Sequence, residues 1–387
     1  MAAYERELAR IVEHLNKAAT GTPQRDRPEE PPAGGDSLDE LLAVASRRQA
    51  TDILLVAGSP VIFRVDGTLA PASGPPLGAE EVRNLLLPLL TPVRYADLQK
   101  RRSLDFRLAR GDAGRMRVNV HFQRGTLAAT IRLLPTRVPS LESLHLPSSV
   151  GELIDRRQGL VLVTGPAGCG KTTTLAALVD RVNRQRRAHI ITIEDPIEYE
   201  HTNHLSVIEQ IEVGADTPDF AGAVRSVLRQ TPDVILVGEM RDAETMATVL
   251  TAAETGHLVL STLHTNDASQ AVSRILDSFP EANQPQIRQQ FSLALLAVIA
   301  QQLVPSADGR GRFPALEILV ATDAVRNLIR RGQDHQLRTQ LLTGRAAGMI
   351  TMEQSLAALV RGGRTSVETA RAHCYRPDDL AGHLEVR

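Results

Sequence analysis

The chain has 387 residues, a length that suits two domains better than one core. Hydrophobic residues make up 42% and charged residues 23%, as in a globular protein, and a net charge of −1 argues against a general nucleic-acid binder. Two cysteines, Cys169 and Cys374, exclude a four-thiolate zinc site and a disulfide framework.

The first residues, MAAYERELARIVEHLNK, are charged throughout and carry no apolar signal core. The longest mainly apolar run, 291–300, is about half of a ~20-residue bilayer span, so a cytoplasmic, soluble protein is expected. Residues 4–18 show helical spacing, and 21–36, with four Pro and three Gly, read as a flexible linker. The first segment is thus a tethered helix over 1–36.

A mixed α/β domain is expected over 37–135. Ser37 followed by Glu40 predicts a helix start. Strand candidates follow at DILLVA, VIFRVDG, SLDFRLA, RMRVNVHFQ and LAATIRLLP, with a helical stretch around 80–100. Residues 136–150, with two Pro, read as a connector. In 151–387 four apolar runs, LVLVTG, IITIED, VILVGE and LVLSTLHT, alternate with helical stretches at 171–186, 218–230 and 242–255. Continuous apolar strands between helices predict a buried parallel sheet with its ligand at the carboxyl ends of the strands. Gly165, Glu194, Glu239 and His264 should therefore converge on one rim. Residues from 285 onward read as mostly helical.

The sharpest motif is GPAGCGKT, between a strand and a helix. It fits the phosphate-binding loop G-x-x-x-x-G-K-[ST], in which backbone N–H groups wrap phosphates and the helix dipole adds to them. The nucleotide-binding segment is expected to run from Gly165, Pro166, Ala167, Gly168, Cys169 and Gly170 to Lys171, Thr172 and Thr173. Lys171 supplies charge to the phosphates and the Thr172 hydroxyl a Mg²⁺ ligand. Of 44 basic residues only three are lysines, and one of them is Lys171.

Other residues read as partners of that loop. Glu239 ends a strand and can hold Mg²⁺ or polarise water, and Glu194 with Asp195 ends another. His264 closes a strand on the same rim, where it can donate to a phosphate, and His257 precedes that strand. Arginines of the first domain, Arg115, Arg117, Arg124 and Arg132, can clamp phosphate. Cys169 is either a residue of suitable size or, beside a helix N-terminus, a reactive thiol.

These strings, in this order, resemble the secretion-type ATPases of type IV pili and type II secretion. The resemblance runs from about Ser37 to about Ala372 and rests on LVLVTGPAGCGKTTTLAAL, IITIEDPIEYEH, TPDVILVGEMRDAET and TAAETGHLVLSTLHT. It implies an α/β protein: a PAS-like N-terminal domain and a RecA-like P-loop ATPase domain with C-terminal helices. It also implies ATP and Mg²⁺ as ligands and a homo-hexameric ring. By position, Glu194 and Glu239 are the catalytic carboxylates, His257 and His264 the His-box residues, and Arg117 and Arg132 phosphate contacts, with Arg124 a further candidate. The implied partner is an inner-membrane pilus platform protein, which would hold the ring at the cytoplasmic face of that membrane without direct lipid contact.

Two features point to the pilus-retraction branch, with extension, secretion or an accessory retraction role as alternatives. Extension motors usually carry a four-cysteine element, which two cysteines cannot form. DAVRNLIRRG also resembles the retraction motif AIRNLIRE, although Arg331 stands where that motif has Glu. The first strand, DILL, lacks the His usual in the family.

Overall fold

Ser37 caps the first helix as its spacing predicts: its hydroxyl accepts the Glu40 N–H at 3.3 Å, and α1 (Leu38–Arg47) buries Leu38, Leu41, Leu42 and Ala45. The computed structural model describes residues 37–65, 67–110 and 114–385. These fall into two compact units divided between Leu133 and Leu134. The helix read over 4–18 and the linker of 21–36 lie outside the described residues.

The N-terminal unit is a six-stranded antiparallel sheet built from β1 (Asp52–Val56), β2 (Ile62–Val65), β3 (Thr68–Pro71), β4 (Ser103–Arg110), β5 (Gly114–Gln123) and β6 (Thr126–Leu133). Its order is β3-β2-β1-β6-β5-β4, the PAS-like arrangement. The register puts Phe63, Ile53, Ile131, Val118 and Phe106 in one row across five strands. All five are buried, against α1, α2 (Ala79–Leu86) and α3 (Pro92–Arg101) through Leu41, Val82, Leu86 and Leu98. Side chains alternate between faces along a strand, so the next row points the other way. That row reads Arg64, Asp52, Arg132, Arg117 and Arg107.

The second unit holds a seven-stranded sheet in the order β13-β12-β7-β11-β10-β8-β9. Its members are β7 (Gly159–Thr164), β8 (His189–Glu194), β9 (Val207–Glu212), β10 (Val234–Val237), β11 (Leu258–Leu263), β12 (Leu295–Pro305) and β13 (Arg312–Val320). All pairings are parallel except β12 with β13. The strands read as unbroken apolar runs because both faces are covered. Leu160 and Leu162 of β7 pack in one core and Val161 and Val163 in another. On the first face lie α6 (Phe220–Val227), α7 (Ala243–Glu254), α8 (Ala268–Asp277), α9 (Gln284–Ala294) and α10 (Asp323–Arg330). On the second lie α4 (Ser148–Glu152) and α5 (Lys171–Gln185). Leu141, Leu146 and Val150 of the segment read as a connector are buried in that second core.

The stretch from 285 onward, expected to be mostly helical, also holds β12 and β13, a long antiparallel pair at the sheet edge. The helix α9 passes into β12 between Ala294 and Leu295, where the backbone turns to φ −61° and ψ 130°. No Gly or Pro marks this switch, and SLALLAVIAQQL is rich in residues that favour a helix. Helices do dominate beyond β13: α10, α11 (Leu337–Thr343), α12 (Met352–Arg361), α13 (Val367–His373) and α14 (Pro377–Glu385). Among the described residues no helix is long and apolar enough to cross a membrane.

Candidate functional site

The parallel sheet places β7, β11, β10 and β8 side by side, so their carboxyl ends share one rim. Beyond β7 the chain turns through Gly165, Gly168 and Gly170 with φ of 142°, 75° and 89°, a region L side chains rarely adopt. α5 starts at Lys171 directly after Gly170, so the loop runs into a helix N-terminus. This glycine-wrapped turn fits a phosphate. Hydroxyl and carboxylate oxygens at Thr172 and Glu239 are the hard donors that Mg²⁺ takes.

A cleft of about 260 Å³ opens there, bounded by Ala167, Gly168, Lys171, Thr172, Glu194, Glu239 and His264. Lys171 Nζ donates to the carbonyls of Gly165 at 2.8 Å and Pro166 at 3.0 Å, and burial lowers its basicity. Glu239 lies at the β10 end. One of its oxygens pairs with Arg241, and the other lies 3.3 Å from His264 Nε2. Glu194 ends β8, and its Oε1 accepts from Thr192 Oγ1 at 2.8 Å and Gln210 Nε2 at 3.2 Å. Burial pushes its carboxyl above the usual range, and those two hydrogen bonds only partly oppose this. Four residues expected on one rim are thus brought together around Lys171.

Other expected residues are placed differently. Thr173 turns aside, its hydroxyl 3.1 Å from Tyr199 Oη. His257 stands at the amino end of β11, its Nδ1 2.9 Å from the Ala252 carbonyl, so the strand separates it from the rim that holds His264. Cys169 is buried, and burial raises its thiol pKa, which favours the reading of a residue of suitable size. Arg117, Arg124 and Arg132 belong to the N-terminal unit. Arg132 and Arg117 are direct cross-strand partners, Arg132 bonded to the buried Asp52 at 2.8 Å and Arg117 3.6 Å from Asp105. Arg124 sits instead in the β5–β6 turn with φ 47°.

Several site residues escaped the sequence. Gln210 sits on β9, an edge strand whose alternating VIEQIE was not read as one. Tyr199, Arg241 and His201 line the cleft through loops; burial pushes His201 down to about 4, so it is neutral near pH 7. Arg64 and Arg107 share the row of Arg117 and Arg132, visible only once the register is known. On the other side of the phosphate loop a second cavity, about 330 Å³, borders Gly170 and Thr173 and is walled by Leu144, Leu146, Leu303 and Phe313 with Arg310 and Arg312. The His145 and Phe313 rings stand 5.1 Å apart in it.

A phosphate loop after an inner strand of such a sheet, facing Glu194, Glu239 and His264, defines a RecA-like P-loop nucleotide hydrolase. Residues 37–373 match the family described as Type II/IV secretion system protein. The chain is 44% identical over 345 residues to a protein of Neisseria gonorrhoeae named "Twitching motility protein", covering 89% of this chain and 92% of that one. It is 41% identical over 343 residues to the "Type IV pilus retractation ATPase PilT" of Pseudomonas aeruginosa, covering 89% and 99%. A solved structure titled as the pilus retraction motor PilT with bound ADP superposes with a TM-score of 0.82 at 41% identity, again covering 89% and 99%. The chain belongs to the Type II/IV secretion system protein family, and within it is an ATPase of the type IV pilus retraction kind.

Proposed function

We propose that the chain works as a homo-hexameric ring that hydrolyses Mg·ATP to withdraw pilin subunits from a type IV pilus. The observation that carries the hydrolytic part is the shared rim: Lys171, Glu194, Glu239 and His264 around one cleft. In this reading the backbone N–H groups of 167–172 and the α5 terminus hold the β- and γ-phosphates, and Lys171 leaves its loop carbonyls to meet them. The apolar cavity beside Gly170 takes the base. Thr172 and Glu239 hold Mg²⁺, which when bound neutralises phosphate charge.

Glu194 then accepts the proton of the attacking water, a role suited to a carboxylate made more basic by burial. Glu239, fixed between Arg241 and His264, orients that water and the metal shell. His264 lies where its ring can donate to the γ-phosphate and sense its loss. The positive row of the N-terminal unit supplies further phosphate contacts through Arg117 and Arg132. His257, at the far end of β11, acts at a distance from the phosphates. A pilus platform protein at the cytoplasmic face of the inner membrane is the partner, and membrane contact runs through it.

Deletion of the gene tests the direction of work. Cells that keep surface pili but no longer twitch support retraction. Bald cells would instead assign the chain to extension.

A further inference from the structure

A phosphate loop needs its N–H groups turned inward, and a trans peptide points its C=O and its following N–H in opposite directions. Inward N–H groups therefore require outward carbonyls, and buried carbonyls require donors. One such donor comes from outside the loop. Gln301, on β12 and 3% exposed, donates its Nε2 to the Cys169 carbonyl at 2.6 Å. Its Oε1 accepts from Thr174 Oγ1, on the first turn of α5, at 2.9 Å. A carbonyl can only accept, so the amide has one working orientation here.

The fit around Gln301 also explains two glycines. A Cβ on Gly165 would lie 2.3 Å from the Gln301 carbonyl, and one on Gly170 would lie 2.9 Å from Gln301 Nε2. Loop and strand approach so closely because β12 pairs with β7, Ala300 opposite Thr164. The next residue, Gln302, points to the other side and meets His373 at 3.2 Å and also Tyr375. β12 is therefore held on its far side without Gln301.

We propose that Gln301 is a positioning residue for nucleotide binding: by holding the Cys169 carbonyl it turns the Gly170 N–H towards the phosphates. It borders the cavity beside Gly170, but both its amide atoms are committed, to the Cys169 carbonyl and to Thr174. Thr174 fixes the amide so that the donor faces the loop. This rests on the phosphate-loop reading above.

The test is binding of ADP and of adenosine to the full chain by competition, for wild type, Gln301→Leu and Gln301→Glu. An unpaired Cys169 carbonyl should weaken ADP binding roughly tenfold to a hundredfold in the Leu variant, with adenosine binding little changed. In the Glu variant an ionised carboxylate repels the carbonyl, whereas the protonated acid offers it an O–H. ADP affinity of that variant, relative to wild type at each pH, should therefore recover as pH is lowered. Wild type that does not bind ADP would sink the phosphate-loop reading itself. Wild type that binds while both variants bind ADP equally well would overturn the role of Gln301 alone, as would equal losses for ADP and adenosine. If the Leu variant does not fold, the pH response of the Glu variant decides.

Discussion

Glu194 and Glu239 face the cleft in different surroundings. Glu239 shares its two oxygens between Arg241 and His264, while Glu194 is buried against Thr192 and Gln210. Because burial raises the Glu194 pKa, it takes up a proton at a higher pH than an ordinary glutamate as the solution is acidified. The acid limb of kcat/KM should then lie above the usual carboxylate range. Glu194→Gln should lower kcat by roughly 10² to 10⁴ and remove that limb, with ADP affinity nearly unchanged. A variant with an unaltered pH profile would take the proton-accepting role away from Glu194. The place of both residues on the rim was legible in the sequence because each ends an apolar strand, and parallel strands carry their ends to one rim. Arg241, Tyr199 and Gln210 were not, since loops and an edge strand bring them in with no local signature.

Elements were readable where both faces are buried. β7, β8, β10 and β11 run unbroken in Leu, Val and Ile, and their helices follow at α/β spacing. β9 was missed because it alternates at an edge, with Val207 57% exposed. β12 and β13 were missed because a helix passes into a strand without punctuation. That late hairpin carries a buried carboxyl of its own, Glu317 on β13, which accepts the Ala268 N–H at the start of α8 at 3.0 Å. Burial pushes Glu317 up to about 7. Between the unfolded value and that pH the folded chain keeps a proton that the unfolded chain has released, so stability falls as pH rises across the window. Glu317→Gln keeps the acceptor without the charge. We expect it to raise stability at about pH 8 by roughly 1–3 kcal/mol and to flatten the pH dependence of the unfolding midpoint. An unchanged pH dependence would show that Glu317 does not govern it.

At the scale of the whole molecule, composition had a narrower use. The chain has three lysines and two cysteines, and one of each lies inside the phosphate loop. The arginine row of the N-terminal unit could not be read that way, because with 41 arginines no single one stands out. Pairing register alone aligns Arg64, Arg132, Arg117 and Arg107 on one face around Asp52. Within that row the two proposed phosphate contacts should separate. Arg132 also pairs with Asp52, which is 4% exposed, whereas Arg117 faces the exposed Asp105. Arg117→Ala should lower turnover without moving the unfolding midpoint. Arg132→Ala should lower turnover and cost about 1 kcal/mol of stability as well. Full turnover in both would remove the row from the reaction.

The most direct test of the account is Mg²⁺-dependent ATP hydrolysis by the full-length chain beside its Lys171→Ala variant. Turnover in the first and its loss in the second is the predicted result. Equal turnover in the two would contradict it.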